Sequence, residues 1–156
     1  MFTVLPFGAA AAPRLYTALN SEIYLCLRSL GMQLVSVLDD VCGYGTSLAQ
    51  TQAQCAALVD LLGALGFHLS PEKCQWPTWL LRYLGLLVDS HKMVFQVPED
   101  KLDAFLTELD RLVAARTASD RELASIAGKL LSFRLAVDIA PIQARALYQA
   151  MQASPA

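Results

Sequence analysis

Asp39 and Asp40 stand side by side between two apolar runs, Leu34-Val35-Ser36-Val37-Leu38 and Val41-Cys42-Gly43-Tyr44-Gly45. The pattern reads as a strand, a tight turn carrying two carboxylates, and a returning strand. Two ionised carboxylates held together repel one another unless a cation offsets their charge. Mg²⁺ suits them, with Mn²⁺ as a substitute, because it is a hard ion commonly held by one or two carboxylates plus substrate phosphates. The chemistry such a pair serves is phosphoryl transfer, in which two metal ions about 3.5–4 Å apart clamp the attacking and leaving oxygens. The alternative is a solvated hairpin tip, where Asp is a common turn residue.

The elements that must position this turn follow from the local pattern. Phe2-Thr3-Val4-Leu5 reads as a short strand stopped by Pro6, and Phe7-Gly8 as a turn. A helix begins near Pro13 and runs to about Leu30, with Gly31 as its stop; Leu15, Leu19, Ile23, Cys26, Leu27 and Leu30 form its expected apolar face. After the acid hairpin, Ser47 is the expected N-cap of a helix ending near Leu65 and Gly66, with Leu48, Cys55, Leu58, Val59, Leu62 and Leu65 as its apolar positions. His68-Leu69-Ser70 reads as a short strand leading into the turn Pro71-Glu72-Lys73-Cys74. Leu80–Val88 and Met93–Val97 read as two strands of a second hairpin around Asp89-Ser90-His91-Lys92. From Pro98 the chain turns helical, over about Glu99–Arg116, Asp120–Val137 and Pro141–Met151, with Ser119 and Glu122 spaced as a capping box. The expected fold class is therefore α+β: an antiparallel sheet with two helices over residues 1–97, followed by a three-helix region over residues 98–156.

Composition narrows the function classes. Of the 156 residues 55 % are hydrophobic and only 17 % charged, against about 45–50 % and about 25 % in ordinary soluble domains; the excess implies a surface that meets a partner. The net charge of −2 and the lack of a basic stripe argue against stand-alone nucleic-acid binding. Cys26, Cys42, Cys55 and Cys74 form no C-x-x-C pair, so neither zinc nor a redox motif is indicated, and an intracellular, reduced protein is the simplest reading. No run of 18 apolar residues suggests a membrane span, and the N-terminus has no secretory character.

Four segments in order resemble reverse transcriptases. Leu5-Pro6-Phe7-Gly8 followed by Ala12-Pro13 resembles their L-P-F-G-x-x-x-A-P segment, and Val37-Leu38-Asp39-Asp40 their Y-x-D-D turn. Leu65-Gly66-Phe67 through Lys73-Cys74 resembles G-F-x-[ILV]-[NS]-x-x-K-C, and Tyr83-Leu84-Gly85 the [FY]-L-G primer-grip hairpin. Arg121-Glu122-Leu123-Ala124-Ser125-Ile126-Ala127-Gly128-Lys129-Leu130 resembles a stretch of DIRS-like and gypsy-like retrotransposon enzymes. The resemblance implies a polymerase palm followed by a thumb-like helical region, acting on an RNA or DNA primer–template. It makes Asp39 and Asp40 the metal-binding catalytic pair and Lys73 a proton donor to the pyrophosphate leaving group. It gives Pro6, Phe7 and Gly8 the nucleotide and template site, where glycine lets backbone approach a ligand, and Tyr83, Leu84 and Gly85 the primer grip.

Two departures shape the expectation. Val37 stands where the family has Tyr, and no acid precedes Glu22, although the family's first metal-binding aspartate lies on a strand before the L-P-F-G segment. The expectation is thus a reverse-transcriptase fragment without fingers or that aspartate, binding Mg²⁺ weakly and inactive alone. Two further readings stay open. One is a domesticated, non-catalytic interaction module that self-associates through an exposed sheet edge. The other is a non-catalytic nucleic-acid-binding piece.

Overall fold

The computed structural model describes residues 8–153. The expected strand Phe2–Leu5 and the site residues Pro6 and Phe7 lie outside the described residues. The described residues form five α-helices and two small antiparallel sheets, an α+β arrangement. The chain divides into two compact units at Thr78/Trp79. The boundary expected at Pro98 lies inside the second unit, where Val97 packs against the helical core.

In the first unit, helix α1 (Ala12–Ser29) has Pro13 in its first turn, and Gly31 just beyond its end takes φ +85°. Its buried face is not the expected one. Asn20, Tyr24 and Leu27 are buried at i, i+4, i+7 spacing, whereas Leu15, Leu19, Cys26 and Leu30 are exposed. The leucine pattern offers two overlapping stripes, and tertiary packing selects the one centred on Tyr24. Strands β1 (Leu34–Val37) and β2 (Asp40–Gly43) pair antiparallel. The Arg28 guanidinium at the end of α1 donates to Leu34 O at 3.2 and 3.3 Å, tying helix to strand. Tyr24, Leu27 and Leu34 form the buried cluster, flanked by Ile23, Met32, Val41, Leu58 and Leu61. Helix α2 (Leu48–Ala64) is capped as expected, with Ser47 Oγ accepting from Gln50 N and Gly66 at φ +84° closing its end. Only Leu62 is buried on it, and Leu48 and Leu65 are exposed. The strand expected at His68–Ser70 does not form; those residues are irregular and lead into a 3₁₀ turn, Pro71–Lys73.

The second unit opens with three strands where two were expected: β3 (Leu80–Tyr83), β4 (Leu86–Asp89) and β5 (Val94–Gln96), in that order in one sheet. Leu84 at φ +48° and Gly85 at φ +79° break the expected Leu80–Val88 strand in a two-residue turn that pairs Tyr83 with Leu86. Positive φ at both central residues is the signature of the hairpin turn whose twist matches the strands it joins. The β4–β5 turn is fastened by Asp89, whose Oδ1 accepts from His91 N at 3.1 Å and Lys92 N at 2.9 Å. The two sheets are separate, so the expected single palm sheet is not what the described residues build.

Helices α3 (Glu99–Ala115), α4 (Asp120–Ser132) and α5 (Ala140–Ala153) complete this unit, with α4 ending earlier than expected. The capping box is formed: Ser119 Oγ accepts from Glu122 N, and the Glu122 carboxylate accepts from Ser119 N. Phe105, Leu112, Ile126, Ala127, Leu130, Phe133, Ala140 and Ala144 make one buried cluster. Among the described residues no helix is long and apolar enough to cross a membrane.

Candidate functional site

The acid pair lies at a hairpin tip, as its flanking apolar runs imply. Val37 pairs with Asp40, leaving Leu38 and Asp39 as a two-residue loop. Asp39 therefore belongs to the turn and Asp40 to the first position of β2, and both are exposed. Leu38 takes φ +54°, a region bulky residues rarely occupy, so the loop holds a strained conformation beside the two acids.

Register sorts the side chains into faces, because directly opposed residues of an antiparallel pair share a face. Leu34 lies with Gly43 and Ser36 with Val41 on the face that carries buried Leu34 and core-packed Val41. Val35 lies with Cys42 and Val37 with Asp40 on the other face. Asp40 thus shares the outer face with Val35 and Val37, which are 46 % and 47 % exposed. The turn residue Asp39 acts on the helix: with burial first and Tyr16 second, its charge holds the Tyr24 phenol above its ordinary pKa. Tyr24 packs with Leu27 and Leu34, so the hairpin is seated on α1 through the same residue that senses its acid.

The other expected site residues fall as follows. Gly8 takes φ +88° with open space where a Cβ would lie, so backbone conformation rather than crowding calls for glycine there. Lys73 is exposed at the end of the 3₁₀ turn. Tyr83, Leu84 and Gly85 form the end of β3 and its turn, in the second unit. There a Cβ built on Gly85 collides with Lys101 Nζ, so a lysine of α3 lies directly on the glycine. Sequence reading did not single out Lys101; its one local signal is its place three residues after Pro98, in the first turn of a helix.

Sequence reading also missed Asn20. It is 2 % exposed, one turn before Tyr24, and neither its Oδ1 nor its Nδ2 has a hydrogen-bond partner. Such a group is costly, and each instance calls for an explanation. Its sequence neighbours Ser21 and Glu22 are polar too, so no local signal set it apart.

Chemically, two exposed carboxylates on adjacent residues provide oxygen ligands for one hard divalent ion. Among the described residues no group of three or more His, Cys, Asp or Glu side chains comes together to enclose one. Compared with models of protein families and with curated proteins, the chain matches none.

Proposed function

We propose that this chain carries the acid-hairpin and thumb-like parts of a reverse transcriptase, an RNA-directed DNA polymerase of retrotransposon type. The observation that carries the reading is the two-residue loop at Leu38–Asp39, which delivers two successive carboxylates to an exposed hairpin tip behind a helix that follows a glycine turn. A second such loop at Leu84–Gly85 supports it, since it stands where the resemblance puts the primer grip.

In this reading Asp39 and Asp40 hold Mg²⁺, which supplies charge neutralisation for phosphoryl transfer to a primer 3′-hydroxyl. Lys73, exposed on its turn, is free to offer a proton to a departing phosphate oxygen. Two carboxylates with no third ligating side chain grouped beside them among the described residues bind one largely hydrated ion weakly. Little primer extension is therefore expected from the chain alone.

The test is a Mn²⁺ titration of the full chain followed by nuclear magnetic resonance, beside primer extension. Paramagnetic broadening is expected first at the amides around Asp39 and Asp40, and its loss is expected in Asp39→Asn/Asp40→Asn. Broadening that ignores the hairpin overturns the reading. Robust extension that disappears in Asp39→Ala shows instead that a full metal centre is assembled.

A second reading is supported by the exposed outer face of β1–β2. Val35, Val37 and Leu38 are exposed there, and each strand has a single partner among the described residues. Open edges recruit other strands, which suits a non-catalytic interaction module derived from a retroelement. Sedimentation separates the two: a stable dimer abolished by Val35→Lys, with no Mn²⁺ effect at the hairpin, favours the module.

A further inference from the structure

We propose that helix α3 is a docking face for an amphipathic helix of a partner protein, one with basic residues along its edge; the proposal goes beyond the polymerase reading and does not depend on it. Phe105 and Leu112 of α3 belong to the buried cluster of the second unit. Four further apolar residues, Leu102, Leu106, Leu109 and Val113, follow one another at steps of four, three and four. That is the rhythm by which one helix seats its side chains between those of another. Leu109 packs partly against the core, but Leu102, Leu106 and Val113 stay exposed, Val113 by 68 %. At the Val113 end this strip meets a cleft of about 250 Å³ lined by Leu109, Leu112, Val113, Leu123, Ile126 and Leu147. The cleft has room for one large apolar side chain. A helix laid in such a groove anchors itself through apolar residues at this spacing.

Charge decides which helix fits. Glu99, Asp103 and Asp110 each stand three residues before an exposed member of the strip, Leu102, Leu106 and Val113 in turn. Residues three apart are neighbours on a helix surface, so the three acids line one edge of the strip. All three are exposed, and none is in an ion pair among the described residues. The other two acids of α3 are engaged, Asp100 with Arg82 and Glu108 with Lys129. Arg116, beside the cleft, is one cation against these three free acids. An apolar strip with an acidic edge is complemented by a helix that carries lysine or arginine along its own edge. A second copy of α3 fits poorly, because two such helices packed antiparallel set acidic edge against acidic edge.

The experiment titrates the full, isotope-labelled chain with a three-heptad synthetic peptide bearing leucine at a and d and lysine at e and g, beside the same peptide with glutamate for lysine. The lysine peptide is expected to shift amide resonances along α3 and around the cleft, and the glutamate peptide to bind about tenfold more weakly. Leu106→Ser/Val113→Ser is expected to lower affinity for the lysine peptide about tenfold, the cost of two lost apolar contacts. Asp103→Asn/Asp110→Asn is expected to lower it about threefold and to flatten its salt dependence. Should the serine pair unfold the chain, the asparagine pair still decides, because it changes exposed side chains alone. Equal binding of the two peptides overturns the proposal, as does binding whose shifts lie away from α3 or whose salt dependence the asparagine pair leaves unchanged. No binding of the lysine peptide overturns it as well. A chain that dimerises through this strip, losing the dimer in Val113→Ser, makes a second copy the occupant and also overturns it. None of these outcomes touches the reading of Asp39 and Asp40, which the Mn²⁺ titration tests separately.

Discussion

The two units of this chain spend their apolar residues differently. The second gathers eight buried side chains into one cluster, with Phe105 and Phe133 edge to face at 5.5 Å and 84°. The first buries Tyr24, Leu27 and Leu34 together, leaves Leu15, Leu19 and Leu30 of α1 exposed, and places an unpartnered amide, Asn20, in its interior. The candidate metal-binding acids belong to this thinly packed unit. Regions that open easily are those with few buried apolar contacts, so the acid hairpin sits where the chain has the least to lose by moving or by meeting a partner. The helical unit, by contrast, has one contiguous core and an Arg111–Glu122 ion pair that joins α3 to the capped start of α4.

The strongest way to break this comparison is to remove the aromatic pair. Phe133 and Phe105 are 6 % and 8 % exposed. Phe133→Ala should cost about 3–5 kcal/mol, lost transfer energy plus the cavity left behind. Thermal unfolding by circular dichroism should show most of the helical signal melting at lower temperature. A melt that Phe133→Ala leaves unchanged would mean that the helical unit is as loosely packed as the first, and the contrast would dissolve.

A smaller effect of opposite sign is expected in the first unit. Leu has nearly the branched shape of Asn, so Asn20→Leu removes two buried groups without hydrogen-bond partners and adds apolar contact beside Tyr24. A buried polar group left unpaired costs about 1–3 kcal/mol, and the substitution should recover part of it. Hydrogen exchange of α1 amides should slow. Faster exchange would show that the amide is satisfied in solution, by a bound water for instance.

These two residues also mark how far the sequence could be read. Helix ends were legible, because Ser47, Gly31, Gly66 and the Ser119/Glu122 box act through their immediate neighbours, and each does so here. The acid hairpin was legible for the same reason: a two-residue loop between apolar runs leaves few alternatives. The buried stripe of α1 was not, since Leu15, Leu19 and Leu30 are as apolar as Leu27, and only contact with Leu34 and α2 decides which side turns inward. The Leu84–Gly85 turn was hidden inside an apolar run because Leu84 adopts φ +48° against its own preference. Lys101 was invisible for a further reason, since nothing in sequence brings it to a glycine 16 positions earlier.

The finest distinction between the units is electrostatic, and it lies at the α3–α4 junction. The Glu122 carboxylate accepts from Ser119 N at 3.0 Å and Ser119 Oγ at 2.9 Å, and Arg111 donates to it at 2.7 Å. The Ser119 backbone bond first, then Arg111 and the Ser119 hydroxyl, pull its pKa from an ordinary 4.5 to about 2. A carboxylate whose folded pKa lies below its unfolded one contributes stability that is fully present above the unfolded value. That contribution fades as pH falls from about 4.5 toward 2. Asp100, lowered by the Arg82 hydrogen bond, adds to the same trend. Wild-type and Glu122→Gln melting temperatures should therefore differ at pH 6, with the variant lower, and the gap should narrow steadily as pH is brought down through this window. The glutamine can still cap Ser119 N but carries no charge to lose, which isolates the ionic part of the junction. A gap that stays constant down to pH 2.5 would show that Glu122 holds α3 to α4 through hydrogen bonding alone.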